Sequence, residues 1–166
     1  MGRLLVIGAA IAVIGVSACG GVHHDRTFSE PSVGPSRPVS FRYPRDWSVS
    51  GFSRDNNRLV VASYRVDRSE VEGDCGGMEA LQRMPRDGAA VLLIDYGTYG
   101  NGKGLAPHPA DFELSQFRRA NYECFGDSYM LRFRRDGHDL QAHVALGSQV
   151  SAVRRAEALA ILDSIK

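Results

Sequence analysis

The chain has 166 residues, 43% hydrophobic and 23% charged, enough for one domain with a real core. Its 20 Lys and Arg stand against 19 Asp and Glu, a formal net charge of +1. That balance excludes the global basic field that would draw a domain to nucleic acid.

The first element is an export signal. Arg3 gives a thin positive start, residues 4–16 are an uncharged run of Leu, Val, Ile, Ala and Gly, and Ser17 and Ala18 precede Cys19. The run is shorter than the roughly 20 residues a helix needs to span a bilayer. A buried helix of a globular domain fits poorly, because Gly20, Gly21 and a polar stretch follow at once. Val16-Ser17-Ala18-Cys19 resembles the lipobox of bacterial lipoproteins, with valine in the place of the usual leucine. The resemblance implies a diacylglyceryl group on Cys19, removal of residues 1–18 as a signal peptide, and a lipid-anchored, exported protein on the outer face of a bacterial membrane. Two acyl chains hold where one binds only marginally, since each buried CH₂ contributes about 0.8 kcal/mol. Ordinary secretion with cleavage nearby is the alternative. Cleavage removes Arg3 alone among the charges and leaves a neutral chain.

Residues 19–38 read as a flexible linker, with Gly, Ser, Pro31, Pro35 and Pro38 and almost no apolar side chain. His23 and His24 lie in this tether and read as solvated rather than metal-binding. Residues 39–166 read as a single globular domain. Residues 39–43 alternate like a half-buried strand, with Phe41 and Tyr43 on one side and Arg42 on the other. Pro44 stops it, Arg45-Asp46 turns, and 47–49 resumes. A second extended run covers 59–66. Residues 78–84 form a short helix ended by Pro85. The apolar run 89–96 predicts a central strand covered on both faces. A glycine-rich loop over 97–109 follows, then weaker strands at 112–117 and 122–125. Asp136-Gly137 predicts a two-residue type I′ turn. Counting outward pairs Phe133 with Leu140, Leu131 with Ala142, Tyr129 with Val144, and Arg134 with Asp139. One register therefore matches apolar with apolar and base with acid. The chain closes in a helix over about 151–165, with Ala158, Ile161, Leu162 and Ile165 on one stripe and Ser148 or Ser151 as its cap. These elements predict an α+β fold, an antiparallel β-sheet packed by the C-terminal helix and the short middle helix.

Here a second resemblance enters. Ser40-Phe41-Arg42-Tyr43-Pro44-Arg45-Asp46-Trp47 resembles the opening F-x-Y-P-x-x-W of the PsbP-like superfamily, and 158–165 is similar to its last helix. The resemblance covers both ends of the domain but not the middle. It implies a central antiparallel sheet between helices and an accessory, assembly or partner-binding role without a shared catalytic site. Function argued from fold is analogy.

With Cys19 assigned to the lipid, Cys75 and Cys124 remain as an even pair in an oxidising compartment, which predicts a disulfide. Two buried thiols or a metal site are the alternatives, and the metal lacks further ligands at recognisable spacing. Gly97, Gly102 and Lys103 nearly spell a P-loop. Gly104 replaces the Mg²⁺-binding Ser or Thr, though, and Pro107 and Pro109 prevent the helix such a loop needs. Asp67, Glu70, Glu72 and Asp74 lack EF-hand spacing and read as a solvated acidic loop. Arg118, Arg119, Arg132 and Arg134 form a candidate contact with anionic lipid heads or wall polymers, set against the plainer role of strand solubility. His138 and His143 point to opposite faces of one strand and cannot grip one metal from it. No nucleophile elbow or zinc-protease motif occurs, so no catalytic residue, metal or cofactor is assigned. The expected function is a non-catalytic, lipid-anchored envelope domain that binds a protein partner or envelope component through its sheet face or the 97–109 loop. A small-ligand or lipid carrier built on Phe41, Tyr43, Trp47, Tyr64 and Tyr96 is one alternative, and an envelope hydrolase another.

Overall fold

The Asp136-Gly137 turn organises the sheet. Asp136 has φ 48° and Gly137 φ 92°, the left-handed pair a type I′ turn requires. It joins β8 (Gly126–Arg135) to β9 (His138–Leu146) in the register expected, with Phe133 opposite Leu140, Leu131 opposite Ala142, Tyr129 opposite Val144 and Arg134 opposite Asp139. In this computed structural model the described residues are 24–29, 38–53, 56–72, 75–97, 105–122 and 126–166.

The other strands are β1 (His24–Ser29), β2 (Ser40–Pro44), β3 (Ser48–Ser53), β4 (Asn56–Ala62), β5 (Ala89–Asp95), β6 (Ala106–Pro107) and β7 (Arg118–Tyr122). A seven-stranded sheet runs β3-β4-β5-β9-β8, and the far edge of β8 takes β7 antiparallel and the short β6 parallel. β1 and β2 form a separate antiparallel pair. The helices are α1 (Met78–Gln82) and α2 (Ala152–Asp163). The fold is α+β, mostly antiparallel sheet, with α2 packed on it.

The sheet is covered on both faces. On one face, Leu59, Val61, Val91, Leu93, Phe133, Leu140, Ala142 and Val144 meet Ala158, Ile161 and Leu162 of α2 and Ile165 just beyond its end, with Phe41, Trp47, Phe112 and Phe117. On the other, Val60, Ala62, Ala90, Leu92 and Ile94 meet Val66, Val71 and Ala80 from the segment around α1. β5 serves both layers, which is why 89–94 reads as an unbroken apolar run. Ser151 caps α2, its hydroxyl accepting the Arg154 amide at 3.1 Å. Tyr64 fixes α1 by donating its hydroxyl to the Ala80 carbonyl at 2.7 Å. Burial pushes that phenol above its ordinary pKa.

Three expectations change. Residues 24–29, read as linker, are strand β1. Phe28 pairs with Phe41 and stacks on it at 5.1 Å, so one aromatic fixes the register of a polar segment. Residues 112–117, read as a weak strand, instead hold a 3-10 turn at Leu114–Gln116. The Glu113 amide donates to the Gln116 side chain there, a local bond that competes with the sheet ladder. The second strand ends at Ala62, where the chain bends, and the Val66 amide then donates to the Ser48 hydroxyl at 3.1 Å. Within 122–125, Tyr122 ends β7, and 123–125 lie outside the described residues.

Candidate functional site

The β8–β9 register that puts Phe133, Leu131 and Tyr129 toward α2 puts Ser128, Met130, Arg132 and Arg134 on the opposite face. Met130 then faces His143, Arg132 faces Gln141 and Arg134 faces Asp139. A row of buried polar residues results: Ser128, Asp139, Gln141 and His143 are 5%, 1%, 8% and 0% exposed.

His143 is the centre of this row. Ser128 Oγ lies 3.0 Å from its Nδ1 and Gln141 Nε2 lies 2.7 Å from its Nε2. An amide NH₂ only donates, so with Gln141 placed this way Nε2 accepts and the ring proton sits on Nδ1. That proton is donated to Ser128. Burial lowers the His143 pKa to about 4, keeping the ring neutral. A general base would accept from serine; here the imidazole donates to it, so the pair does not activate Ser128 as a nucleophile. Its chemistry is that of a satisfied buried network.

A second histidine closes the hairpin end. His138 Nδ1 lies 2.6 Å from Asp95 Oδ2, and the other Asp95 oxygen accepts the Gly97 amide at 2.6 Å. His138 belongs to the α2 side and His143 to the other, as alternation demands. A third, His108, donates from Nε2 to the Leu162 carbonyl at 3.1 Å and meets Phe112 and Phe133 edge-on. Among the described residues no group of three His, Cys, Asp or Glu side chains is placed to hold a metal ion.

The four arginines do not act as one patch. Arg118, Arg132 and Arg134 share the face of the polar row, while Arg119 turns to the α2 side, 5.4 Å over the Tyr129 ring. Its bond to the Tyr129 hydroxyl raises the Arg119 pKa. Arg132 covers the Tyr96 ring at 5.4 Å, and Arg134 Nε sits 3.2 Å from the buried Asp139 carboxylate. Cys75 is exposed in the turn before α1 and is disulfide-bonded, with its partner outside the described residues. Cys19 and Cys124 lie outside the described residues, as does most of the 97–109 loop.

At the opposite corner, Trp47 is 3% exposed and donates its indole N–H to Glu157 at 3.2 Å. Arg154 holds both Glu157 and Asp46, at 3.1 and 2.7 Å, and Arg154 in turn keeps the Asp46 carboxyl below its ordinary pKa. Between β2 and α2 runs a surface-open groove of about 220 Å³ lined by Arg42, Pro44, Glu157, Ile161 and Asp163. Desolvation raises the Asp163 pKa there. A second, of about 320 Å³, lies among Glu70, Glu72, Cys75 and Glu79. Of the aromatics considered for a carrier, Phe41 and Trp47 fill the core, Tyr43 and Tyr64 pack against it, and Tyr96 is exposed.

No family model, no curated protein and no solved structure matches this chain. Sequence reasoning missed Ser128 and Gln141. The signal was available in the hairpin register, which sets both beside His143, but neither residue type stands out in a linear reading.

Proposed function

We propose that the chain is a lipid-anchored protein of the bacterial cell envelope whose folded part is a non-catalytic partner-binding or accessory domain. The observation that carries this reading is the uncharged run 4–16 leading into Val16-Ser17-Ala18-Cys19. The disulfide-bonded Cys75 agrees with an oxidising compartment. The Ser128–His143 pair, turned so that the imidazole donates, supports a binding role over hydrolysis. We assign Cys124 as the partner of Cys75, since an acylated Cys19 has no thiol to offer. The PsbP-like resemblance belongs to the same proposal and is supported by Phe41 and Trp47 in the core with Tyr43 packed on it.

Expressed in a bacterium with the lipoprotein pathway, the protein should enter the detergent phase and take up labelled fatty acid, and Cys19→Ala should abolish both. Unchanged labelling of that variant overturns the anchor. Turnover on a hydrolase panel, with no partner recovered from membranes, overturns the binding role.

A further inference from the structure

Strand β1 begins at His24, five residues after Cys19. Five residues reach at most about 18 Å, however they are arranged. If Cys19 carries the lipid, the domain is held against the membrane rather than on the long tether that 19–38 suggests.

The register says which end is held. His24 pairs with Pro44, and the chain turns through Arg45 and Asp46 into β3. Asp46 is bonded to Arg154 in the first turn of α2. Just before α2 the Gln149 amide donates to the Arg86 carbonyl at 2.7 Å. One end of the sheet therefore gathers the start of β1, the 45–46 turn, the 85–88 turn and the N-terminus of α2. The Asp136-Gly137 turn lies at the other end. The nine residues of β9 separate the two by about 27 Å, well beyond the Debye length of roughly 8 Å.

That end carries an unusual pairing of residue types. Val153 is 67% exposed, one of two large hydrophobic side chains so placed among the described residues. Beside it, the first turn of α2 has no acid and two arginines, against the sense of the helix dipole. Arg154 is compensated by Asp46 and Glu157; Arg155 is exposed and has no ion pair among the described residues. Arg86 is exposed at the same end, with Asp87 beside it. An exposed apolar residue among arginines, placed where the anchor enters, fits a bilayer interface.

We infer that this end, formed by Arg86, Val153 and Arg155, docks on an anionic lipid surface when Cys19 is acylated. This deepens the proposed function and rests on its lipid anchor. The hairpin arginines Arg132 and Arg134 then face away from the membrane.

The test uses the mature protein purified from membranes, with its mass measured first. A mass lacking the diacylglyceryl group overturns the anchor itself. With the group present, amide exchange is followed on vesicles of phosphatidylglycerol and of phosphatidylcholine. Docking predicts slowed exchange over 149–155 on the anionic vesicles and none at 134–139. Joint Arg86→Glu and Arg155→Glu should return exchange over 149–155 to its phosphatidylcholine value, and Val153→Asp should weaken the slowing. Equal exchange on both vesicles, or protection at 134–139 instead, overturns the docking and leaves the anchor standing.

Discussion

The Gln141 amide nitrogen meets His143 Nε2 at 2.7 Å, inside a face of the sheet where His143 has no exposed surface. That bond decides the tautomer of the ring and with it the sense of the contact to Ser128. Burial of the ring away from water is what keeps His143 neutral.

The consequence is a pH dependence of stability. The folded pKa is about 4, below the ordinary 6.5, so on acidification the unfolded chain binds a proton that the folded one refuses. Stability from this group is whole above pH 6.5 and falls as the pH drops toward 4, by up to about 3 kcal/mol. Asp46, whose pKa is lowered from 3.8, acts in the same sense but in a lower window. Urea titrations at successive pH values should show His143→Gln less stable at neutrality and flatter than the parent between pH 6.5 and 4. Parallel curves for the two proteins would refute the burial argument.

Two glycines separate backbone strain from crowding. Gly137 has φ 92° and open space where a Cβ would sit. Gly137→Ala should therefore cost only the left-handed penalty, about 1–2 kcal/mol. Gly51 has φ 119°, and a Cβ there would run into the Arg58 carbonyl and Val71. Gly51→Ala should lower the melting temperature clearly more than Gly137→Ala. Equal shifts would mean that β3 gives way freely.

The legible parts of this fold were those with local chemistry. Asp136-Gly137 names its own turn, and the alternation on either side fixes the register of β8 against β9. The α2 stripe and the doubly covered β5 follow from periodicity. β1 was not legible, because a single Phe28 against Phe41 carries it. The 3-10 turn at Leu114–Gln116 hid inside Phe112 and Phe117, whose spacing imitates a strand. The polar row was half legible: the register placed His143, but its partners meet it only across strands. The arginines could be counted from sequence, but not their division between Tyr96, Tyr129 and Asp139.

The Trp47 corner tests packing against charge. Trp47 fills the core, so Trp47→Ala should cost about 3–5 kcal/mol. Arg154→Ala removes two ion pairs and the cover of the Trp47 ring at 6.0 Å. Asp46 is 60% accessible and the Glu157 pair is only part-buried, so the loss should stay within about 1 kcal/mol. Chemical denaturation of both variants orders the two effects. A larger loss for Arg154→Ala would show that the network, rather than the indole, holds the corner.

The bond at Cys75 gives the last prediction. Cys75 is exposed in the turn that leads into α1, and the neighbouring Gly77 lies against Leu92 and Val60. A crosslink from this turn to Cys124, just beyond β7, would tie the layer around α1 to the β7–β8 edge. The chain-entropy relation puts such a long loop at roughly 4 kcal/mol, an upper figure. The layers have their own apolar cores, so reduction should lower the melting temperature by several degrees without unfolding the protein at ambient temperature. Exposure of Cys75 makes the bond accessible to reductant. Cys75→Ser, Cys124→Ser and the double variant should lose the same stability, because each breaks the same bond. A Cys124→Ser protein that melts with the parent, or one whose Cys75 stays unreactive to a thiol reagent after denaturation without reductant, would assign Cys75 a different partner.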